Sequence, residues 1–218
     1  LGINTIEMGF PIVSEGERKT ARKLKTLGLN AKLCGLSRTL QKDVDAVIDS
    51  NLNYIHTFIG TSALHRDYKL RMSKVEILEK IINTIEYAKD HGLTVEFSAE
   101  DATRTEFDYL LKVYKVAEEA GVDIINIPDT VGILVPITTR QLIKQLKPNI
   151  KVPMSVHFHN DFGLAVANSI IAMEEGISQA HLTVNGIGER GGNASLEEFI
   201  MALKIGYGID LDVDTTQL

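Results

Sequence analysis

Short apolar runs alternate along this chain with longer stretches of helical periodicity, and the alternation predicts strands and helices in turn. The runs Ile3–Met8, Ala31–Leu36, Tyr54–Ile59, Leu93–Ser98, Val122–Ile127, Val152–Val156 and Ala180–Val184 have the length and apolar content of buried strands. Between and after them lie Glu15–Leu27, Lys42–Ser50, Lys74–His91, Glu106–Ala120, Thr138–Leu146, Leu164–Glu175 and Ser195–Tyr207, with apolar positions three and four apart. Gly28, Gly92, Gly121 and Gly176 stand where helices should stop. Thr105 with Asp108, and Ser195 with Glu198, have the spacing of capping boxes. Units of roughly thirty residues repeated in this way predict an α/β fold with a parallel sheet and covering helices.

Such a chain either lies open as a doubly wound sheet or closes into a barrel. An open sheet gathers its ligand residues near one switch point. Here polar residues follow strand after strand: Glu7, His56, Ser98 with Glu100, Asn126 with Asp129 and Thr130, His157 with His159, and Asn185 with Glu189. That spread favours a (β/α)8 TIM barrel, whose active site lies at the carboxyl ends of the strands. A barrel of this kind has eight units in about 250 residues. The expectation is therefore one catalytic barrel domain over residues 1–218, with its first strand-helix unit missing from this chain. The chain opens within an apparent strand and without an initiator Met, in keeping with that reading.

Composition narrows the partners. A length of 218 residues suits one domain with a sizeable core, and the net charge of -6 gives no reason to expect nucleic acid or an anionic membrane. There is no signal-peptide pattern and no apolar run long enough to span a bilayer. The lone cysteine, Cys34, excludes an internal disulfide framework and suits the reducing cytoplasm. Cys34 itself reads as a core residue. The charge runs Glu15–Lys25 and Glu106–Glu119 read as solvated helix faces.

The chemistry concentrates between Ser155 and Asn193. Side chains alternate faces on a strand, so His157 and His159 point the same way while Val156 and Phe158 point the other. Two imidazoles so spaced suit one divalent ion. A lone strand histidine is usually structural, but His-x-His followed by Asn160-Asp161 is a much sharper signal. After the next strand comes a glycine-rich turn, Gly186 to Asn193, and both loops should meet over one pocket. Gly186, Gly188 and Gly191 also fit G-x-G-x-x-G, with Asp210 and Asp212 about twenty residues on, the fingerprint of an NAD-binding dehydrogenase. Against that, the turn closes the last unit, and Glu189 and Arg190 would crowd a pyrophosphate. His65, His91 and His181 read as surface or structural residues.

Ser155-Val-His-Phe-His-Asn-Asp-Phe-Gly-Leu-Ala-Val-Ala-Asn168 and Thr183-Val-Asn-Gly-Ile-Gly-Glu-Arg-Gly-Gly-Asn-Ala-Ser195 closely resemble the signatures of the 2-isopropylmalate, citramalate and homocitrate synthases. Those enzymes belong to the metal-dependent TIM-barrel synthases and lyases that act on acyl-CoA. The likeness extends to Glu7-Met-Gly-Phe-Pro11, to Thr61-Ser62 with His65, and to Phe97-Ser-Ala-Glu-Asp101. It implies a Claisen condensation of acetyl-CoA with a 2-oxo acid. A divalent metal (Mg, Mn or Zn) would be held by His157 and His159, with Asn193 ligating or supporting it. Glu100 matches a carboxylate assigned to acid-base work. His56 and Thr130 match groups that hydrogen-bond the oxo acid, while Glu7 and Ser98 fall beside them. Asn126 and Pro128 match the lining of an alkyl pocket, with Cys34 a candidate for the same pocket. Glu189 stands where the related lyases carry a cysteine, which favours synthase over lyase.

The family's Arg-Asp-Gly-x-x-Gln strand end, which supplies a metal-binding Asp, is not in this chain. Its C-terminal subdomain and regulatory domain are not here either. Homocitrate synthases carry an Arg at the position of Glu96, so a like charge here disfavours 2-oxoglutarate. The favoured substrate is 2-oxoisovalerate, which makes the reaction that of leucine biosynthesis, and pyruvate is second. Relatives of this kind imply a homodimer. The alternative from another class is a non-catalytic barrel fragment.

Overall fold

The computed structural model describes all of residues 1–218. Its strands are β1 (Thr5–Glu7), β2 (Lys32–Arg38), β3 (Tyr54–Gly60), β4 (Thr94–Glu100), β5 (Ile124–Asp129), β6 (Met154–Phe158) and β7 (Gln179–His181). They form one sheet in the order β1-β2-β3-β4-β5-β6-β7, every neighbour parallel. Sequential order without a reversal is barrel order, since a doubly wound sheet must switch direction at one point. The helices are α1 (Glu15–Lys25), α2 (Gln41–Asp49), α3 (Lys74–Asp90), α4 (Phe107–Glu119), α5 (Pro136–Leu146), α6 (Ala165–Glu174) and α7 (Leu196–Met201). None is long and apolar enough to cross a membrane.

The helix ends follow the local chemistry. Gly28, Gly92, Gly121 and Gly176 all take positive φ just past their helices, as expected of stops. Ser195 caps α7 by accepting from the Glu198 N–H at 3.2 Å, but the Glu198 side chain does not bond back to the Ser195 N–H, so the predicted box is half formed. The capping box assigned to Thr105 and Asp108 is not formed. Glu106 precedes α4 without a side-chain cap, and the Thr105 hydroxyl donates instead to the Asp101 carbonyl at 2.9 Å. A full capping box stands at α3, where Ser73 and Glu76 bond reciprocally at 3.3 and 2.7 Å. The last predicted helix is also shorter: α7 stops at Met201 and relaxes into a wider turn, Ala202–Gly206. Likewise β7 ends at His181, because Asn185 turns the chain through left-handed backbone at φ 57°.

The apolar core lies outside the sheet. Ile55, Val95, Phe97, Ile125, Ile127, Val156 and Phe158 are all within a few per cent of full burial. They belong to the same contiguous apolar cluster as Val44, Ile77, Ile81, Ile85, Leu110, Val113, Ile143 and Leu146 of the covering helices. Strand alternation then sends the other residues of β3 to β7 inward: Tyr54, His56, Glu96, Ser98, Asn126, Ser155, His157, Gln179 and His181. Helix packing carries the hydrophobic stabilisation, which leaves the inner face free to be polar. A second small cluster, Phe199, Ile200 and Leu203 with Ile3, Leu211 and Val213, ties the chain ends together beside β7. The Asp214 N–H donates to the Leu1 carbonyl at 2.9 Å there.

Candidate active site

Hydrogen bonds run continuously around the interior. Glu7 on β1 lies 2.6 Å from His56 Nδ1, and His56 Nε2 lies 2.6 Å from the Ser98 hydroxyl. Ser98 donates to Asn126 Oδ1 at 2.8 Å, and the Asn126 amide donates to Ser155 at 2.8 Å. Ser155 in turn donates to Glu96, which also accepts from Tyr54 at 2.7 Å, His181 at 2.8 Å and Gln179 at 3.1 Å. Each hydroxyl accepts on one side and donates on the other, so the chain has a direction, from His56 to Glu96. Burial alone would strip His56 of its proton, but Glu7 outweighs it, with help from Glu96, and raises the imidazole above its usual value. Burial alone would likewise keep Glu96 neutral. Contact with His181, then His56 and the Ser155 hydroxyl, outweighs that and lowers the carboxyl well below its usual range.

This arrangement qualifies the reading of Glu96. The side chain faces inward, as expected, yet both oxygens are taken up by neighbours. It is a bonded structural charge and not an open one aimed at a substrate. His181, read as surface or structural, is the partner that does most to hold it ionised, and its ring lies edge-on to both His56 and His157 at 5.2 and 5.7 Å. Its position two residues from Gln179 on one strand face was the available signal. Cys34 is 2% exposed, and burial pushes its thiol far up, in accord with a core role.

The reactive groups stand at the carboxyl ends of the strands. His157 Nε2 and His159 Nε2 are 3.2 Å apart at the end of β6. Two nitrogens each about 2.1 Å from one ion, at angles between tetrahedral and octahedral, would be about 3.0–3.4 Å apart. Burial, then the neighbouring imidazoles His181 and His159, lowers the His157 pKa to about 3, so the ring is neutral, as a metal ligand must be. Asn193 pairs across from His159, and its Oδ1 is buried without a hydrogen-bond partner. No group of three His, Cys, Asp or Glu side chains is arranged to hold a metal ion. Two imidazoles and one amide oxygen are thus the donor set present, and it fits an ion with open positions.

The glycine turn packs tightly against Asn193 and Asn160. A Cβ at Gly188 would fall 2.5 Å from Asn193 Oδ1, and one at Gly191 would fall 2.8 Å from the Asn160 carbonyl. The Asn160 N–H donates to the Gly192 carbonyl at 2.8 Å, so the loops after β6 and β7 do meet. Arg190 clamps them by donating to both oxygens of Asp161 at 2.7 and 2.8 Å and to the Thr130 carbonyl at 2.9 Å. These contacts account for the glycines as packing against protein, and the pyrophosphate reading loses its basis. Sequence reasoning gave Arg190 no role in the site.

Glu100 ends β4 with 19% of its side chain exposed, and Lys69 donates to both its oxygens at 2.7 and 2.8 Å. Thr130 accepts from the Asp101 N–H at 2.8 Å, which leaves its own hydroxyl hydrogen free for a substrate oxygen. Pro128 is buried beside His157 in the register of β5 and β6. Of the expected site residues, Glu7, His56, Ser98 and Asn126 therefore share one network, and His157, His159 and Asn193 share one corner above it.

The profile of the HMGL-like family matches residues 1–218. Over its full length the chain is 56% identical to a 2-isopropylmalate synthase of Methanocaldococcus jannaschii, of which it covers 42%. It is 54% identical over its full length to the homocitrate synthase AksA of Methanopyrus kandleri, of which it covers 55%. The chain thus spans about half the length of these curated relatives. A Bacillus subtilis HMG-CoA lyase structure superposes with a TM-score of 0.82, at 18% identity, over 100% of this chain and 78% of that one. The likeness establishes the fold as a partial TIM barrel of the lyase type.

Two outcomes follow from this geometry. Gly188→Ala should displace the Asn193 amide and weaken divalent-metal binding about tenfold or more by titration calorimetry, a loss typical of disturbed ligand support. Unchanged affinity would remove Asn193 from the site. Glu96→Gln should destabilise the fold by about 1–3 kcal/mol at neutral pH, because buried partners lose an acceptor. The folded Glu96 pKa lies below its ordinary 4.5, so its contribution is complete above pH 4.5 and fades as pH falls toward the folded value. Denaturant unfolding of both proteins should show the gap closing on acidification; a gap that widens would contradict the assignment.

Proposed function

The chain belongs to the HMGL-like family, and from that premise we propose that it is the catalytic barrel of an enzyme condensing acetyl-CoA with a 2-oxo acid. The favoured oxo acid is 2-oxoisovalerate, giving 2-isopropylmalate and CoA in the route to leucine. The observation that carries this reading is the pair of imidazole nitrogens 3.2 Å apart at the end of β6, with Asn193 set beside them by a glycine turn. The printed name of the Methanocaldococcus relative supports it. The name of the Methanopyrus relative moves 2-oxoglutarate ahead of pyruvate as the second reading, all the more because the Glu96 carboxylate is taken up by its neighbours.

The residues divide the work by position. A divalent ion bound by His157, His159 and Asn193 would polarise the oxo-acid carbonyl. Glu100 accepts a proton from the methyl carbon of acetyl-CoA, and that carbon bonds to the carbonyl carbon. The carbonyl oxygen gains the negative charge and then a proton. His56, whose protonated form Glu7 favours, orients Ser98 through its Nε2. Thr130 donates to a carboxylate or carbonyl oxygen of the oxo acid. Asn126 and Pro128 border its alkyl group. Water then cleaves the thioester, releasing CoA. A homodimer in the cytoplasm, with segments beyond this barrel completing the site, is the setting we propose for the whole protein.

The test is release of free CoA by the full-length protein with acetyl-CoA, a divalent metal and each oxo acid in turn. Release dependent on a 2-oxo acid supports the reading, and the larger kcat/KM identifies the substrate. Glu100→Gln should lower kcat by about 10²–10⁴-fold, the usual yield of general acid-base catalysis. Release that ignores the oxo acid, or survives Glu100→Gln, would overturn it.

A further inference from the structure

The loop after β3 places a histidine behind Glu100 that the reaction as described does not use. His65 opens a widened helical turn, His65–Leu70, and its N–H donates to the Ser62 hydroxyl at 3.2 Å. Its ring occupies the space over Gly60, where any Cβ would lie 2.6 Å from Nδ1. The two ring nitrogens face two consecutive carboxylates. Nδ1 is 3.7 Å from Glu100 Oε2, and Nε2 is 3.8 Å from Asp101 Oδ2.

Those carboxylates are not alike. Asp101 is sealed from solvent and fixed in left-handed backbone at φ 65°. Its N–H is bonded to Thr130 at 2.8 Å, and its oxygens accept from Arg104 at 2.8 and 3.0 Å. Glu100 is partly exposed and bonded only to Lys69, whose own side chain is half exposed. His65 Nδ1, meanwhile, is buried without a hydrogen-bond partner. An unmade bond on a buried nitrogen is costly, and a shift of under about 1 Å would bring Glu100 within range.

The contact pattern decides what that shift would do. Lys69 bonds both oxygens of Glu100, so its positive charge weighs on each of them and makes both poorer bases toward a carbon proton. His65 addresses Oε2 alone. We propose that His65 is a positioning residue for Glu100: it takes over the carboxylate from Lys69 when substrate is bound, holding Oε2 and freeing Oε1 for the methyl proton. Asp101 anchors the far side of the imidazole. The proposal rests on the condensation reading above, in which Glu100 is the base.

The test uses the full-length protein with three His65 variants. His65→Phe fills the space without a donor, His65→Asn returns a donor near Nδ1, and His65→Gln returns one near Nε2. His65→Phe should lower kcat by about 10–100-fold, the cost of misplacing a catalytic group, with KM for both substrates within about twofold. Asn should recover most of the loss and Gln little of it. In a Glu100→Gln background His65→Phe should cost nothing further. A fully active His65→Phe, or equal losses in Asn and Gln, would overturn the proposal. A thermal-unfolding cycle over His65→Phe, Glu100→Gln and the double variant, run with CoA and the 2-oxo acid bound, decides the contact without turnover. Non-additive shifts support it, and additive shifts overturn it even if the wild type catalyses no condensation, a result that would separately defeat the functional reading.

Discussion

A carboxylate buried inside a barrel survives only if every lone pair is met, and Glu96 sets that condition for this molecule. Meeting it takes Tyr54, Ser155, Gln179 and His181, from three different strands. Ser155 then fixes Asn126, Asn126 fixes Ser98, and Ser98 fixes His56. The orientation of His56 and Ser98 is thereby inherited from a charge one layer below. Such a network is worth having only when fully satisfied, because a half-satisfied one is worse than an apolar filling. The sheet can afford it since its hydrophobic stabilisation is placed entirely on the helix side.

Above that layer the strands end in groups that are not satisfied. His159 Nδ1, Asn193 Oδ1 and His65 Nδ1 are buried without partners, all at the carboxyl ends. Thr57, Thr139 and Asn168 also keep an unpartnered buried oxygen away from the rim, so the contrast that marks the candidate site is the one between the side chains of His159, Asn193 and His65 and the saturated inner face beneath them. Three of the five non-glycine residues at positive φ, Asp101, Asn185 and Arg190, lie at the same level. Each is pinned by a specific bond, Asp101 by Thr130, Asn185 by Glu197 and Arg190 by Asp161. Backbone held in this way suits a place where geometry matters more than local comfort.

Much of this was legible in the residues. Strand alternation placed His157 and His159 on one face, and polar residues recurring after strand upon strand distinguished a barrel from an open sheet. Glycine stops were read correctly because a positive φ is a local demand. What escaped depends on distant partners. Tyr54, Ser155 and His181 lie 42, 59 and 85 residues from Glu96, so its bonded state could not be seen from β4 alone. Thr105 had the spacing of a cap but is drawn off by the turn at Asp101, which Thr130 holds from another strand. His65 sits in a Thr-Ser-x-x-His stretch whose meaning appears only once Gly60 leaves room for its ring.

The central claim is that the rim of this barrel presents two imidazoles and an amide to one divalent ion. Anomalous diffraction at the manganese edge, from crystals of the full-length protein grown with Mn²⁺, tests it most directly. The account predicts a single strong peak within bonding distance of His157 and His159, with the Asn193 oxygen beside it. A peak elsewhere on the barrel, with the two imidazoles bonded only to each other, would contradict it.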